Sequence, residues 1–531
     1  MNRCKIITSF LVSCLALAGW GVTLRAQTAQ RPNIIYILAD DMGYRDLSVF
    51  GQQARQTPNL DKLARNGMIF NHAYAGAAMC AASRAVLMTG MHLGHARVRE
   101  NASLRGGQDN LNDSDITVAE ALKQAGYKTA LTGKWGIGLP GTAGEPHKQG
   151  FDLAYGFYDQ AMAHGFYPEY LMHNGQREPL PQNEGFKMAR VYQYGSTPMA
   201  RMTPDLLNQY DAQGRNLPDG VADPAKASYS QDLIHAKAMQ FVRENQANPF
   251  FLYYATQLPH GPLIAKDLGK YKDAPWDIKH KEWAAMIDHL DRHVGELVAL
   301  LEELKLLDNT IIFFASDNGY EPNYFNLKRY ERDPVFANNG PWPGGKFLAR
   351  EGGIRTPMFA YWRGRIKAGG SSDHPTAFYD FLATAAELAG VKRLHTNDGI
   401  SIVPTLLGKP QQQRKHEYLY WEQCTVAQPT RHIQTVRYGD YHAYREHPTK
   451  PMELYDIVRD PECKTNLFAS QPAVVKKIEG FMRVASTPNE WFITPGDTPE
   501  QIKAKKERGK LHPLPLQQRA NGMAPLPGPS Y

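Results

Sequence analysis

The sequence predicts an α/β fold with a doubly wound, mostly parallel sheet flanked by helices. Continuously apolar, β-branched runs such as Asn33–Ala39 are typical of strands buried on both faces. Segments with apolar residues at helical spacing alternate with these runs, which favours parallel strands joined by helices. Polar pairs follow two of the runs, and such sheets bind ligands beyond the carboxyl ends of their strands.

The elements of this fold can be assigned in chain order. We expect the main buried strands at Asn33–Ala39, Tyr127–Thr132, Phe250–Ala255 and Thr310–Ala315. Helices are expected where capping residues and the 3.6-residue period coincide. They are Thr57–Gly67, Val118–Gly126 and Trp283–Leu306.

The pattern changes from about residue 412 to short alternating runs, which predict a smaller antiparallel sheet. Its strands are expected at Glu417–Trp421, His432–Arg437, Tyr441–Tyr444 and Glu453–Ile457. The predicted organisation is a signal peptide at 1–26, a catalytic domain at 27–411, the C-terminal subdomain at 412–494 and a polar, proline-rich tail at 495–531. We expect that tail to wrap the surface or to be partly disordered.

The first residues have the features of an export signal. Arg3 and Lys5 precede an apolar run from Ile6 to about Leu24, and small residues around Ala26 suit cleavage there. We therefore expect an exported protein, periplasmic or secreted, and rank a lipid anchor at Cys14 second. No later run approaches the roughly twenty apolar residues of a transmembrane helix.

Charge and cysteine content narrow the class of protein further. The net charge falls from +7 to +4 on cleavage, because the leader contains three basic residues and no acidic ones. That balance does not indicate a nucleic-acid partner. Three cysteines remain, and export permits Cys424 and Cys463 to pair as a disulfide. Cys80 is then left over, and an odd cysteine in an exported protein is a candidate functional residue.

Two strand ends carry oxygen-rich pairs, Asp40-Asp41 and Asp317-Asn318. Each pair alone could be a turn former. Together, at the carboxyl edge of one sheet, they match the ligands that hard cations such as calcium prefer. The sequence thus predicts a calcium site, with magnesium as the second choice.

Six motifs in order resemble the formylglycine-dependent sulfatases, an arylsulfatase-like family of the alkaline phosphatase superfamily. The resemblance spans Arg31 to about Leu467. The motifs are RPNIIYILADDMGY, CAASRAVLMTG, GYKTALTGKWGIG, FFASDNG, GGKFLAREGGIRTP, and DGISIVPTLLG with ELYDIVRDPECKTNL. The resemblance implies a sulfuric ester hydrolase of the exported bacterial carbohydrate-sulfatase type.

The resemblance also implies roles for particular residues. A maturase would oxidise Cys80 to formylglycine, whose hydrated aldehyde provides the nucleophile. The implied metal ligands are Asp40, Asp41, Asp317, Asn318 and the modified Cys80. The implied catalytic residues are Arg84 beside the formylglycine, Lys134 and Lys346 on the sulfate, and His260 as proton donor to the leaving alcohol. Glu351 and Arg355, in the same motif as Lys346, are expected to be structural.

One position departs from the family pattern. Many sulfatases have Lys-Trp-His where this chain has Lys134-Trp135-Gly136, so the usual base for sulfate release is missing. We expect His164 either to replace it or to bind the sugar. Two other functions remain open: a phosphodiester or phosphonate monoester hydrolase of the same superfamily, and a catalytically impaired binder of sulfated glycans.

The substrate class rests on a weaker likeness. The segments GHARVREN, with His95, Arg97, Arg99 and Asn101, and DQAMAHGFYPEY, with His164, resemble parts of exported sulfatases that act on sulfated galactose-type glycans. We therefore expect a sulfated carbohydrate of the galactose or glycosaminoglycan type, with Arg97 and His164 as substrate-binding residues.

Overall fold

The computed structural model describes residues 31–186, 208–424 and 432–513. The predicted signal peptide and Cys14 lie outside these residues. Within them, no helix is both long and apolar enough to span a bilayer.

Eighteen strands are present in the described ranges. In chain order they are β1 Asn33–Ala39, β2 Met68–Phe70, β3 Ala73–Tyr74, β4 Lys128–Lys134, β5 Leu153–Phe157, β6 Tyr170–His173, β7 Gln176–Pro179, β8 Asn208–Tyr210, β9 Asn216–Pro218, β10 Phe250–Ala255, β11 Thr310–Ser316, β12 Phe359–Tyr361, β13 Gly370–Ser372, β14 Thr376–Ala377, β15 Leu419–Gln423, β16 Ile433–Tyr438, β17 Tyr441–Arg445 and β18 Glu453–Asp456.

The α-helices of the same ranges connect these strands. They are α1 Pro58–Arg65, α2 Cys80–Thr89, α3 Val118–Lys123, α4 Ser230–Glu244, α5 Ile278–Glu303, α6 Glu351–Ile354, α7 Asp380–Ala389, α8 Val403–Leu406, α9 Pro472–Val484 and α10 Pro499–Leu511.

A ten-stranded sheet forms the centre of the protein, in the order β13-β2-β12-β11-β1-β10-β4-β5-β6-β7. The five central strands, β11, β1, β10, β4 and β5, are all parallel. Antiparallel pairs lie toward both edges, where β12 pairs with β11 and β6 with β5. The predicted doubly wound, mostly parallel sheet is confirmed.

Each face of the sheet has its own apolar core. Side chains of β1 alternate between them: Ile34, Tyr36 and Leu38 pack into one core, while Ile35 and Ile37 pack into the other. Helices α2, α3 and α7 cover the first face and α1, α4 and α5 cover the second. Burial on both faces explains the continuous apolar runs by which these strands were predicted.

The C-terminal part contains the expected antiparallel sheet, in the order β15-β16-β17-β18. Helix α9 packs on it through Val475, Ile478 and Met482. Thus the second part of the fold prediction is confirmed.

Two expectations about the C-terminal region need correction. Part of the predicted tail is the helix α10, whose N-terminus has a capping box between Thr498 and Gln501. All three described cysteines are free thiols, so Cys424 and Cys463 do not form a disulfide. Cys424 follows β15 beside Glu100 and Glu422, whereas Cys463 lies in a turn after β18.

Candidate active site

Four neighbouring strands end at the candidate site. Asp40 and Asp41 follow β1, and Asp317 and Asn318 follow β11. Lys134 is the last residue of β4, and His260 lies in the loop after β10. Because β11, β1, β10 and β4 are adjacent and parallel, their carboxyl ends bring these side chains together.

The turn after β1 points both carboxylates into the site. Asp41 has a left-handed backbone with φ of 67°, which is uncommon for a residue with a side chain. Its amide donates to Asp317 Oδ1 at 3.1 Å, and the amide of Met42 donates to Ser316 Oγ at 2.8 Å. The two strand ends therefore hold each other, and the strained residue lies at the site.

Helix α2 brings Cys80 to the same place as its first residue. The Cys80 side chain is fully buried. Its Sγ lies 3.5 Å from Asp40 Oδ1 and 3.9 Å from Asp41 Oδ1. The next amide, of Ala81, donates to Asn101 Oδ1 at 3.1 Å, which fixes the start of the helix.

Arg84 lies one turn further along α2 and links the carboxylates to β4. Its Nε and Nη2 donate to Asp317 Oδ2 at 3.1 and 2.8 Å, and Nη1 donates to the carbonyl of Lys134 at 2.7 Å. A buried guanidinium held by three hydrogen bonds is fixed in position. Arg84 thus supports the residues around Cys80.

The environment of Cys80 opposes an ordinary thiolate nucleophile. Burial and the charge of Asp317 raise the pKa of the Cys80 thiol well above its usual value. A reactive cysteine needs a lowered pKa. An unmodified Cys80 would therefore be a protonated thiol at neutral pH.

Two buried lysines contact the aspartates. Lys134 Nζ lies 2.8 Å from Asp40 Oδ2, and Lys346 Nζ lies 2.7 Å from Asp41 Oδ2. Burial is the largest single influence and opposes the charge of Lys346, but Asp41, Cys80 and Asp40 together outweigh it and raise the Lys346 pKa well above its usual value. Burial likewise opposes ionisation of Asp40, but Lys134 and the other cations lower the Asp40 pKa well below its usual value. These shifts favour the charged forms of Asp40 and Lys346.

The residues present fit a hard divalent cation. Asp40, Asp41, Asp317 and Asn318 offer oxygen atoms, as Ca²⁺ and Mg²⁺ prefer. Asn318 Oδ1 is buried, and it has no hydrogen-bond partner in the part of the chain that the structure describes. The amide Nδ2 of the same side chain donates to Asp41 Oδ1 at 2.7 Å, so Oδ1 is the atom of Asn318 that could bind a cation.

Two histidines lie together on the side of the site formed by the loop after β10. His260 Nε2 is 3.0 Å from Lys346 Nζ, and its Nδ1 contacts the carbonyl of Gly261. The ring of His164 stacks on that of His260, with centroids 4.0 Å apart and an interplanar angle of 10°. Burial and neighbouring cations lower the pKa of both imidazoles well below its usual value, so both are neutral in this arrangement.

Gly136 borders a different part of the site. A Cβ atom built there would lie 3.7 Å from Arg84 Cδ and 3.8 Å from Gln160 Cβ, which is ordinary contact. Gln160 therefore flanks the space that a longer residue at Gly136 would enter. His164 instead lies beside His260.

The segment containing Arg97 is held by other partners. Arg97 pairs with Asp115 and donates to Ser114 Oγ at 3.3 Å, and its side chain is 34% exposed. His95 pairs with Asp398 at 3.0 Å, and Arg99 with Glu422 at 2.7 Å. The structure therefore does not bring Arg97 to the acidic cluster, unlike the other predicted site residues.

Glu351 and Arg355 form a buried pair in which the guanidinium Nη2 lies 2.7 Å from Glu351 Oε2. Glu351 also lies 3.1 Å from Nδ1 of His442 on β17, so the pair joins the main domain to the C-terminal sheet.

Sequence reasoning missed Tyr324 and Gln160. The hydroxyl of Tyr324 donates to Asp41 Oδ2, and a Cβ at Gly261 would come 2.3 Å from the Tyr324 ring. Tyr324 thus contacts both the loop of His260 and the carboxylate of Asp41. Tyr324 lies in the short 3₁₀ helix Pro322–Phe325, outside the recognised motifs. Gln160 lies within DQAMAHGFYPEY, where only His164 was singled out.

The comparisons with known proteins agree with this geometry. Residues 32–391 match the family model described as Sulfatase, and residues 344–483 match the one described as N-sulphoglucosamine sulphohydrolase, C-terminal. Because the first match covers more than half of the chain, the protein belongs to the sulfatase family. It is accordingly a sulfuric ester hydrolase.

Individual relatives are carbohydrate sulfatases by name. The N-acetylgalactosamine-6-O-sulfatase of Bacteroides thetaiotaomicron is 29% identical over 87% of this chain and 94% of its own length. The N-acetylgalactosamine-6-sulfatase of Canis lupus familiaris is 31% identical over 75% of this chain and 70% of its own length. The crystal structure named Ps i-CgsB is 26% identical, with a TM-score of 0.69 over 91% of this chain and 98% of that one.

Proposed function

We propose that the protein removes sulfate from sulfated sugars of the galactose or N-acetylgalactosamine type. The observation that carries this proposal is the meeting of Cys80, two buried lysines and four oxygen ligands at one sheet edge. The names of the relatives support the sugar class, as does a neighbouring structure titled as a complex with k-i-k-neocarrahexaose.

We further propose that Cys80 is oxidised to formylglycine by a dedicated maturase, because its thiol would be protonated and unreactive as it stands. The hydrated aldehyde would supply the attacking oxygen. A Ca²⁺ or Mg²⁺ ion held by Asp40, Asp41, Asp317 and Asn318 would supply positive charge that lowers the pKa of bound oxygens and balances the sulfate. The predicted leader at 1–26 supports export as part of this proposal.

The lysines are the proposed sulfate-binding groups. Lys134 and Lys346 are buried, and each ammonium is held by a carboxylate at 2.7–2.8 Å. Such preorganised charges stabilise the charge that develops on sulfate oxygens, and they do so without reorganising. Arg84 keeps Lys134 in place through its backbone carbonyl.

His260 is the proposed proton donor to the departing alcohol. Its Nε2 accepts from Lys346 in the present arrangement, and burial and Lys346 lower its pKa well below the usual value. An anionic sulfate bound beside the ring would raise that pKa and favour the protonated form. His164, whose ring stacks on that of His260, would contact the sugar near the departing oxygen.

A panel of sulfated monosaccharides tests the substrate class. We expect release of sulfate from 6-sulfated N-acetylgalactosamine or galactose, and little from 6-sulfated glucosamine. The matching phosphate ester of one alcohol is assayed beside the sulfate ester. Faster hydrolysis of the phosphate would indicate the phosphohydrolase alternative. Sugar binding without turnover by protein produced with the maturase, if its Cys80 still remains a thiol, would indicate the binding-protein alternative.

A further inference from the structure

A second cluster of metal-ligating side chains lies between α4 and α5, apart from the acidic site. It consists of Asp232 from the first turn of α4 and of His289 and His293 from α5. The two histidines are four residues apart on one helix, so they project from the same face. Asp232 reaches them from the neighbouring helix.

Three ligand atoms of this cluster face one another. His289 Nε2 lies 2.7 Å from Asp232 Oδ1 and 3.1 Å from His293 Nε2. His293 Nε2 lies 3.5 Å from the same Asp232 Oδ1. Ligands at about 2.0–2.1 Å from a tetrahedral Zn²⁺ are roughly 3.3 Å apart, so the triangle is close to one face of a zinc site.

The surroundings of Asp232, His289 and His293 suit a bound metal ion. Lys266 Nζ lies 2.6 Å from Asp232 Oδ2, which leaves Oδ1 directed at the histidines. The Asp232 side chain is 30% exposed, so an ion has a route to solvent. His289 and His293 are both buried, and imidazole nitrogens are ligands that Zn²⁺ commonly takes.

We propose that Asp232, His289 and His293 form a second metal site of the zinc class, separate from the oxygen-rich site at the sheet edge. Two nitrogen ligands and one carboxylate are the donors that Zn²⁺ takes and that Ca²⁺ does not prefer. The ion joins α4 to α5 and leaves a fourth position for water.

This site would stabilise the loops around the active site. The residue before Asp232, Gln231, accepts from Thr256 Oγ1 at 2.8 Å, and Ser230 Oγ donates to Gln257 Oε1 at 2.7 Å. Gln257 in turn donates to the carbonyl of Ala163 at 3.1 Å. Fixing the start of α4 therefore fixes the loops that carry His164 and His260.

The test uses full-length mature protein, stripped of metal and then saturated with Ca²⁺, titrated with Co²⁺ as a spectroscopic substitute for Zn²⁺. We expect one equivalent of Co²⁺ to give the intense visible absorption of a four-coordinate ion, and Zn²⁺ to displace it and raise the Tm. His289→Gln and Asp232→Asn should each weaken Co²⁺ binding more than ~100-fold. Even residues that only hydrogen-bond to a metal ligand contribute 10- to 100-fold to metal affinity, so loss of a ligand itself should cost more. His173→Gln, at a histidine outside the cluster, should bind like the wild type.

Three results would overturn the proposal. The first is a weak, six-coordinate Co²⁺ spectrum, or Co²⁺ binding by His289→Gln and Asp232→Asn that equals the wild type. Either result would mean that the three residues are only hydrogen-bonded to one another. The second is loss of binding in His235→Gln or Glu296→Gln, which moves the ion to the neighbouring group. The third is a thiolate charge-transfer band, which assigns the ion to Cys80. None of these readouts depends on turnover, so the result is separate from that of the sulfatase assay.

Discussion

Lys346 connects the proposed sulfate site with the proposed proton donor, so replacing it tests both roles. Its ammonium is 2% exposed and lies 2.7 Å from Asp41 Oδ2 and 3.0 Å from His260 Nε2. In Lys346→Met one of two buried positive charges near the sulfate is removed. Loss of one such preorganised group costs about 2.7–4 kcal/mol, or roughly 10²- to 10³-fold in kcat.

The same variant should also shift the pH profile of the rate, and the direction of the shift can be predicted. The charge of Lys346 is among the causes that hold the pKa of His260 below its usual value. Removing that charge raises the His260 pKa, so the rate with a sugar leaving group should persist to higher pH. With a 4-nitrophenyl sulfate, whose leaving group needs no proton, the pH shift should be absent while the loss in kcat remains.

The assay measures kcat against pH for both substrates, with calcium content and Tm recorded for each variant. Lys367→Met, at an exposed lysine, is the matched control and should behave like the wild type. A Lys346→Met protein with normal calcium content and kcat within threefold of wild type would refute the role of Lys346 in sulfate binding. A loss of kcat with no change in the pH profile would refute its influence on His260.

Three further predictions concern other parts of the site. His164→Ala should raise KM by about 3- to 10-fold with kcat little changed, because the loss of one neutral hydrogen bond to the sugar has about that effect. A burst of alcohol release followed by slow turnover would instead indicate that His164 is the base for sulfate release. Gly136→Ala should lower the free energy of unfolding by about 1–2 kcal/mol because φ there is 78°, although a Cβ has space; an unchanged denaturation midpoint would contradict this. Chelation should abolish turnover and Ca²⁺ should restore it, with Asn318→Ala requiring more Ca²⁺; full activity after exhaustive chelation would exclude a metal role.

The parallel sheet and the meeting of its strand-end carboxylate and amide groups could be predicted because both leave local marks in the sequence. A strand buried on both faces requires an unbroken apolar run, and polar pairs directly after two such runs must meet if the strands are neighbours. For this reason β1 and β11, with Asp40, Asp41, Asp317 and Asn318, could be located from the chain alone.

Residues in loops could not be located in this way, because their positions depend on packing between distant segments. Arg97, which stays a predicted substrate-binding residue, pairs with Asp115, and nothing local to either residue specifies that pairing. Tyr324 reaches Asp41 from the short 3₁₀ helix Pro322–Phe325, which belongs to no recognised motif.

Helix α10 was overlooked for another reason. The proline content around it suggested a tail, yet Thr498-Pro499 with Gln501 is a capping signal that could have predicted the helix. Composition was given more weight here than capping, and the capping signal was correct.

The account depends most directly on the chemical state of residue 80. Protein produced with and without a formylglycine-generating maturase, and mixtures of the two, would be analysed by mass spectrometry of the Cys80 peptide and by kcat on one sulfated sugar. The account predicts that kcat rises in proportion to the fraction of chains with an aldehyde at position 80 and extrapolates to zero for the thiol. Full activity in a preparation whose Cys80 is entirely a thiol would contradict it.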